Sequence, residues 1–452
     1  MNSMKQFQGL GQRVLALGLV LSSFINAAWG GIPIEQWTQS SGVQVYLAQS
    51  HTISMVDLQV DFDAGSRRDP AAQAGLASVV AGMMSKGLRA DAAEPALDEN
   101  QLGEAWADLG AQFGASAGGD RMSFNLRSLT YPDLLKKAVE LAARQMSQPA
   151  FLYEVWQRER SRLQAAIREA NTRPATLADR AFSQAVYGSH PYGYEMTEAS
   201  LQAIAVVDMQ SLYAKLILPC RAKVSIVGAV TRDQADALVT QLFARLSKTL
   251  GCPDLTPVAE VQPLRRAEVK TIAFDSAQAH VLLGQPGYKR NDPDFFALLV
   301  GNYILGGGGF VSRLTDEVRE KRGLSYSVYS YFSPGLHAGA FTLGLQTRPD
   351  QAQQALQVAH QVLSQFVREG PSPAELQAAK SNLIGGFALR IDSNKKLLDN
   401  VANMAWNQLR LDYLDRWTSE IDKITVNDIR LAFARKLQPE KMVTVVLGGV
   451  NR

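Results

Sequence analysis

The stretch from Ile204 to Val230, IAVVDMQSLYAKLILPCRAKVSIVGAV, recurs without a gap 220 positions later, from Ile424 to Val450, as ITVNDIRLAFARKLQPEKMVTVVLGGV. Ile204 and Ile424, Asp208 and Asp428, Ala214 and Ala434, Pro219 and Pro439, Gly228 and Gly448, and Val230 and Val450 coincide. Each copy reads as an Asp at the cap or in the first turn of an amphipathic helix, then a Pro that stops the helix. A short apolar strand ended by Gly follows, Lys223 to Val227 in one copy and Met442 to Leu447 in the other. Chance rarely keeps so many identities in register together with one order of elements.

The front of each half repeats as well, at an offset of 223: Gly65-Ser-Arg-Arg-Asp69-Pro70 answers Gly287-Tyr-Lys-Arg-Asn-Asp292-Pro293. Each motif follows a strand-like run, Ile53 to Phe62 and His280 to Leu283, and precedes a long apolar helix. Gln112 to Ala117 and Arg121 to Ser128 read as a strand pair around Gly118-Gly119, followed by a helix from Tyr131 to Met146. Ser325 to Phe332 and Ala338 to Thr347 form the matching pair around Pro334-Gly335, followed by a helix from Asp350 to Glu369. The pattern predicts an α+β chain of two homologous domains of about 220 residues, each an antiparallel-rich sheet with helices packed on one face. We place them at residues 31–250 and 269–452, with a turn-rich, Pro-containing linker over 251–268.

A chain of 452 residues with 46% hydrophobic content is ample for two packed cores. The net charge of +3 and the absence of a basic run interleaved with aromatics argue against a nucleic-acid partner. Residues 1–30 read as a secretory signal: Lys5 and Arg13, an apolar stretch from Val14 to about Ile25, then small residues ending Ala28-Trp29-Gly30. That apolar run is shorter than the roughly 18 to 20 residues of a membrane span, and no later stretch is long enough, so no stable membrane span is expected. Export would place Cys220 and Cys252 in an oxidising compartment, where they form one disulfide or remain two thiols. His51, His190, His280, His337 and His360 include no two within a helical turn or a strand step of each other, which leaves no local metal site. No G-x-S-x-G elbow offers a nucleophile.

Several segments in this order resemble the pitrilysin/insulinase family of zinc peptidases: Gly75 to Gly87, Glu159 to Ile167, Tyr187 to Gly193, and Leu305 through Ser327 with its Arg319-Glu-Lys-Arg-Gly323-Leu-Ser-Tyr326 run. The resemblance covers nearly the whole chain after residue 30 and implies the fold of the processing-peptidase-like metallohydrolases. In that family a helix reads H-x-x-E-H, two zinc ligands and the general base, and a later helix supplies a Glu ligand in a pattern like E-R-x-x-x-x-x-E. Here the ligand places fall on Ser78, Gly82 and Ala166 and the base on Ala81, while Glu159 keeps the supporting place. Ser, Gly and Ala offer zinc no imidazole or carboxylate, so no metal is expected in this chain and no zinc-dependent proteolysis from it alone.

The family's second domain also carries an Arg and a Tyr seven residues apart that hold substrate and stabilise the oxyanion, and Arg319 and Tyr326 match them. The run Gly306 to Gly309 lacks the Lys-Ser/Thr of a phosphate loop, and the resemblance implies a mobile loop at the wall of a substrate chamber. A lost zinc site beside a retained Arg/Tyr pair resembles one half of the family's heterodimers. The resemblance therefore implies a periplasmic, non-catalytic subunit whose partner is a zinc-bearing homologue, acting on extended peptides bound by strand addition. The competing expectation is a peptidase-derived peptide-binding or envelope assembly module with no catalytic partner.

Overall fold

In β3 (Met55–Phe62) apolar and polar side chains alternate. Val56, Leu58, Val60 and Phe62 enter the core of the first half, and Asp57, Gln59 and Asp61, also buried, face the other side of the sheet. The computed structural model describes residues 31–246 and 251–449, so the signal segment expected over residues 1–30 lies outside the described residues. β1 (Ile34–Thr38), β2 (Gln44–Gln49), β3, β4 (Gln112–Ala117), β5 (Met122–Leu129) and β6 (Lys223–Gly228) form a six-stranded sheet in the order β1-β2-β6-β3-β5-β4. β7 (Glu268–Ile272), β8 (Ala279–Tyr288), β9 (Ser327–Phe332), β10 (Gly339–Thr347) and β11 (Val443–Leu447) form a second sheet in the order β7-β11-β8-β10-β9.

With β1 set aside, the two orders match strand for strand. In each sheet one pair is parallel, β2 with β6 and β7 with β11, and the other pairs are antiparallel. The repeated stretches are one unit used twice: the helix Val206–Leu216 leads into β6, and the helix Val426–Lys436 leads into β11. Their shared Asp fastens the first turn in both, since Asp208 accepts the Ala205 N–H at 2.8 Å and Asp428 the Thr425 N–H at 2.9 Å. The chain is thus two domains of mixed α/β structure, each with helices of its own half on one sheet face, where Val80, Met146, Trp156 and Leu212 build the first core and Leu298, Phe366 and Phe433 the second.

The opposite face of each sheet receives one helix from the other half. The helix Pro174–Tyr187 lays Ala178, Phe182 and Val186 on Leu282, Ala340, Val443, Val445 and Leu447 of the second sheet. Gly284 permits this contact, because a Cβ there would stand 2.7 Å from the Phe182 ring. Reciprocally, the helix Asn394–Trp406 ends over the polar face of the first sheet. Lys223 donates to the Ala405 carbonyl at 2.8 Å and Arg121 to that of Ala402 at 3.3 Å, so cations of one half satisfy the helix end of the other. Asp61, fully buried, balances Arg121 at 2.9 Å and accepts from Ser123 and Gln59. Among the described residues no helix is long and apolar enough to cross a membrane.

The stretch after the first half is strapped down along its length. Cys252 is joined to Cys220 with Cα atoms 5.9 Å apart. Arg68 donates to the Thr256 carbonyl at 2.5 Å, and the His190 ring meets the Ala259 carbonyl at 2.9 Å. Glu260 pairs with Lys289 at 2.7 Å and with His337 at 3.2 Å.

Candidate functional site

Asp69, from the repeated Asp-Pro motif, builds the start of the helix Leu76–Met83 that carries three of the four degenerate positions. Its carboxylate accepts the Gly75 N–H at 2.9 Å and the Ala77 N–H at 3.0 Å, and Gly75 takes φ 101°, a left-handed value that favours glycine. Burial pushes the Asp69 carboxyl up to about 6 against the pull of these backbone donors. On this helix Ser78 is half-buried and Gly82 is exposed, with open space where a Cβ would stand. Ala81, at the place of the family's base, is 4% exposed and belongs to the first core.

The helix Tyr153–Ala170 crosses beside it and brings Glu159, but not Ala166, to the same small cavity of about 110 Å³, lined also by Ser78, Gly82, Lys86 and Trp156. Glu159 is the only carboxylate there, and its oxygens are engaged by Arg162 at 2.9 Å, Arg158 at 3.4 Å and Lys86 at 3.5 Å. Burial pushes the Glu159 carboxyl up, but Arg162 and Lys86 together outweigh it and hold it below the usual carboxylate range. Glu99 closes the network by pairing with Lys86 and Arg158. Ala166 is solvent-exposed. One carboxylate committed to three cations, beside a hydroxyl and two positions without donors, does not fit zinc. Among the described residues no group of three or more His, Cys, Asp or Glu could hold a metal ion.

Arg319 and Tyr326 do come together. Arg319 lies in the helical segment Thr315–Glu320, and Gly323 ends the turn that follows with φ 60°, its N–H donating to the Arg319 carbonyl at 2.8 Å. This left-handed residue sends the chain back along the helix. Leu324 then anchors in the second core, and Ser325 bonds the carbonyls of Ser327 at 2.7 Å and Gln346 at 2.6 Å. Between these anchors and β9, Tyr326 stands 81% exposed with the Arg319 guanidinium 4.7 Å from its ring centre. The nearest carboxylate to Arg319 is Glu320, 3.3 Å from Nε. No hydrogen bond, ion pair or ring contact joins this pair to Ser78, Ala81, Gly82, Glu159 or Ala166 among the described residues.

Two features went unread in the sequence. Phe310 and Val311, directly after the glycine run, are among the most exposed large apolar side chains, and Phe310 places its ring 4.9 Å from the Arg319 guanidinium. The glycine run itself is not a free loop. Tyr303–Gly307 is a wide helical turn, and a Cβ on Gly306 would stand 2.5 Å from the Ser330 backbone nitrogen, so this glycine serves a close approach to β9. The second feature is the meeting of His190 and His337, ring centres 5.1 Å apart, which local spacing could not show.

Two family models cover most of the chain: "Insulinase (Peptidase family M16)" matches residues 44–200 and "Peptidase M16 inactive domain" matches residues 204–383. The crystal structure of a peptidase M16 inactive domain from Pseudomonas fluorescens is 31% identical, with a TM-score of 0.86 over 92% of this chain and 98% of that one.

The chain belongs to the insulinase (M16) peptidase family.

Its M16 relatives include both active-sounding and inactive names. An uncharacterized zinc protease of Mycobacterium leprae is 30% identical over 59% of this chain and 60% of its own length. The chain thus spans about three fifths of that relative. A protein of Helicobacter pylori named a non-peptidase homolog is 24% identical over 91% of this M16 chain and 93% of its own length.

Proposed function

We propose that this M16 chain is the non-catalytic subunit of an exported heteromeric zinc peptidase, supplying Arg319 and Tyr326 to a zinc site carried by a homologous partner. The observation that carries this reading is the contrast within one chain: zinc donors are missing, while the Arg/Tyr pair is assembled and open to solvent. A guanidinium and a phenol O–H at one place can donate to a peptide carbonyl oxygen as negative charge develops on it during attack by zinc-bound water. Among the described residues no metal-binding group would generate that nucleophile, and in this reading a homologous partner supplies the zinc. Extended peptide is the substrate class. The signal-like residues 1–30 and the Cys220–Cys252 disulfide support export to a periplasmic, oxidising compartment.

The test is purification of the tagged chain from an envelope extract of its own host, followed by peptide cleavage with and without a zinc chelator. Capture of a zinc-bearing homologue with chelator-sensitive cleavage, absent from the chain alone, is the expected result. The non-peptidase homolog of Helicobacter pylori favours a second reading, a peptide-binding or envelope assembly module. A chain that binds peptides, captures no zinc-bearing relative and cleaves nothing would establish that reading instead.

A further inference from the structure

The duplication places one buried arginine at the same point of each half. In the sheet registers Val60 faces Val224 and Leu283 faces Thr444, and Val224 and Thr444 are repeat mates, so Leu283 answers Val60 and, at the same offset of 223, Arg290 answers Arg67. Both arginines are nearly buried, and both donate their backbone N–H to a hairpin glycine, Gly119 at 2.9 Å and Gly335 at 2.8 Å. Their charges are met differently. The Arg67 guanidinium pairs with two carboxylates, Asp63 at 2.7 Å and Asp120 at 3.2 Å. The corresponding places in the second half are Pro286 and, directly after the hairpin glycine, Leu336. Arg290 has neutral partners instead: its guanidinium donates to the Tyr413 hydroxyl at 2.8 Å and lies 3.7 Å from the Phe295 ring centre and 5.3 Å from that of Tyr413. The acids nearby are engaged by other cations, Asp292 by Lys436, Asp294 by Arg435 at 2.6 Å, Asp412 by Arg410 at 2.8 Å and Glu420 by Arg416 at 2.8 Å. Among the described residues no carboxylate forms an ion pair with Arg290.

A buried cation without a counter-charge is costly, and here it lines a cavity of about 380 Å³ together with Phe295, Phe296, Leu409 and Tyr413, with Arg410 and Arg416 also in the lining. Gln408, in the left-handed region at φ 54°, turns the chain into this lining just after the helix Asn394–Trp406. We propose that the cavity binds a carboxylate carried on an apolar group, with Arg290 as its counter-ion and the rings of Phe295, Phe296 and Tyr413 against the apolar part. The bound carboxylate would supply the charge that Asp63 and Asp120 supply to Arg67. One cation lacking a carboxylate balances one negative charge, and the planar fork of a guanidinium matches a carboxylate. A doubly charged phosphate would bring a second charge that only arginines already paired could meet. The volume falls within the roughly 300–1,000 Å³ of small-molecule sites. Two sources share this chemistry, a small carboxylic acid and the carboxyl end of a peptide. The site needs no partner chain and is independent of the subunit reading.

The experiment is calorimetric titration of the full chain, unchanged and as Arg290→Lys and Arg290→Gln, with hydrocinnamate, its amide, a short peptide ending in Phe with a free carboxyl, the same peptide amidated, and inorganic phosphate. The unchanged chain should bind at least one of the two acids, and the matching amide more weakly by about ten-fold, the scale of a charge-assisted hydrogen bond. Arg290→Lys keeps the charge but loses the fork, and should weaken the acid by a similar factor while leaving the amide unmoved. Tighter binding of the peptide acid than of hydrocinnamate makes a peptide end the source, and the reverse order makes it a small acid. If neither acid binds the unchanged chain, if acid and amide bind alike, or if Arg290→Lys binds the acid as the unchanged chain does, the site is refuted. Phosphate binding more tightly than either acid overturns the carboxylate assignment. Should Arg290→Gln fail to fold, the acid and amide comparison on the unchanged chain and the Lys variant still decide.

Discussion

The corner around Glu159 and the corner around Arg319 hold the same kinds of groups and use them in opposite ways. At Glu159 the charges close on one another: three cations share one nearly buried carboxylate, and Glu99 completes the set. At Arg319 the cation faces two rings and a single neighbouring carboxylate at its Nε, and the phenol of Tyr326 reaches solvent. A set of charges that satisfies itself has little left to offer a ligand. A set left open offers its donors to whatever docks there, at small cost in water and at larger strength once water is excluded.

If that contrast is right, substitutions in the two corners separate activity from stability. The largest effect belongs to Arg319→Ala, expected to lower kcat/KM of the captured complex by about 100-fold, the scale of one lost oxyanion donor, with Tyr326→Phe losing less. Neither should move the midpoint of thermal unfolding. Both rates unchanged would end the assigned role.

Next in size is the pH response of the helix that carries Ser78, Ala81 and Gly82. A carboxyl raised to about 6 in the fold stabilises the folded state while protonated, and that contribution falls as pH rises from about 4, its unfolded value, through about 6. The stability of the unchanged chain relative to Asp69→Asn should therefore decline by about 2 kcal/mol over that window and stay level above it. Denaturant titrations at pH 4.5, 6 and 7.5 read this directly, and a difference that grows with pH would contradict it.

Glu159→Ala comes third, with a loss of about 1 kcal/mol, since it strands Lys86 and Arg162 but both still reach water. Cleavage by the complex should stay unchanged, and a loss of activity without a loss of stability would erase the distinction between the corners. The smallest effect is that of salt. Raising ionic strength from 0.1 M to 1 M should lower the unchanged chain's stability relative to Glu159→Ala by a few tenths of a kcal/mol, through screening of the same pairs.

The duplication, the hairpins β4/β5 and β9/β10 and the two copies of the helix-strand unit were legible because each rests on local periodicity and on Gly or Pro at a turn. The seven-residue spacing of Arg319 and Tyr326 was legible too, as was the absence of zinc donors at Ser78, Gly82 and Ala166. The exchanged helices were not. Val443, Val445, Val446 and Leu447 make β11 apolar on both faces, which announces cover on both sides but not that Phe182, from the other half, supplies it. Phe310 escaped attention for a similar reason: an aromatic after four glycines reads as a loop residue until its ring is found beside a guanidinium nine positions later.

The amino-acid sequence alone determined the two-fold repeat, the α+β class and the lack of zinc donors at Ser78, Gly82 and Ala166, because identity, periodicity and donor type are properties of single residues and short windows. Only the tertiary structure decided that each sheet is covered by a helix of the opposite half, that His190 and His337 meet, that Glu159 is spent on Lys86 and Arg162, and that Arg319 lies within 5 Å of two ring centres. These are outcomes of packing between segments far apart in the chain, where burial and charge pairing are settled by which surfaces meet.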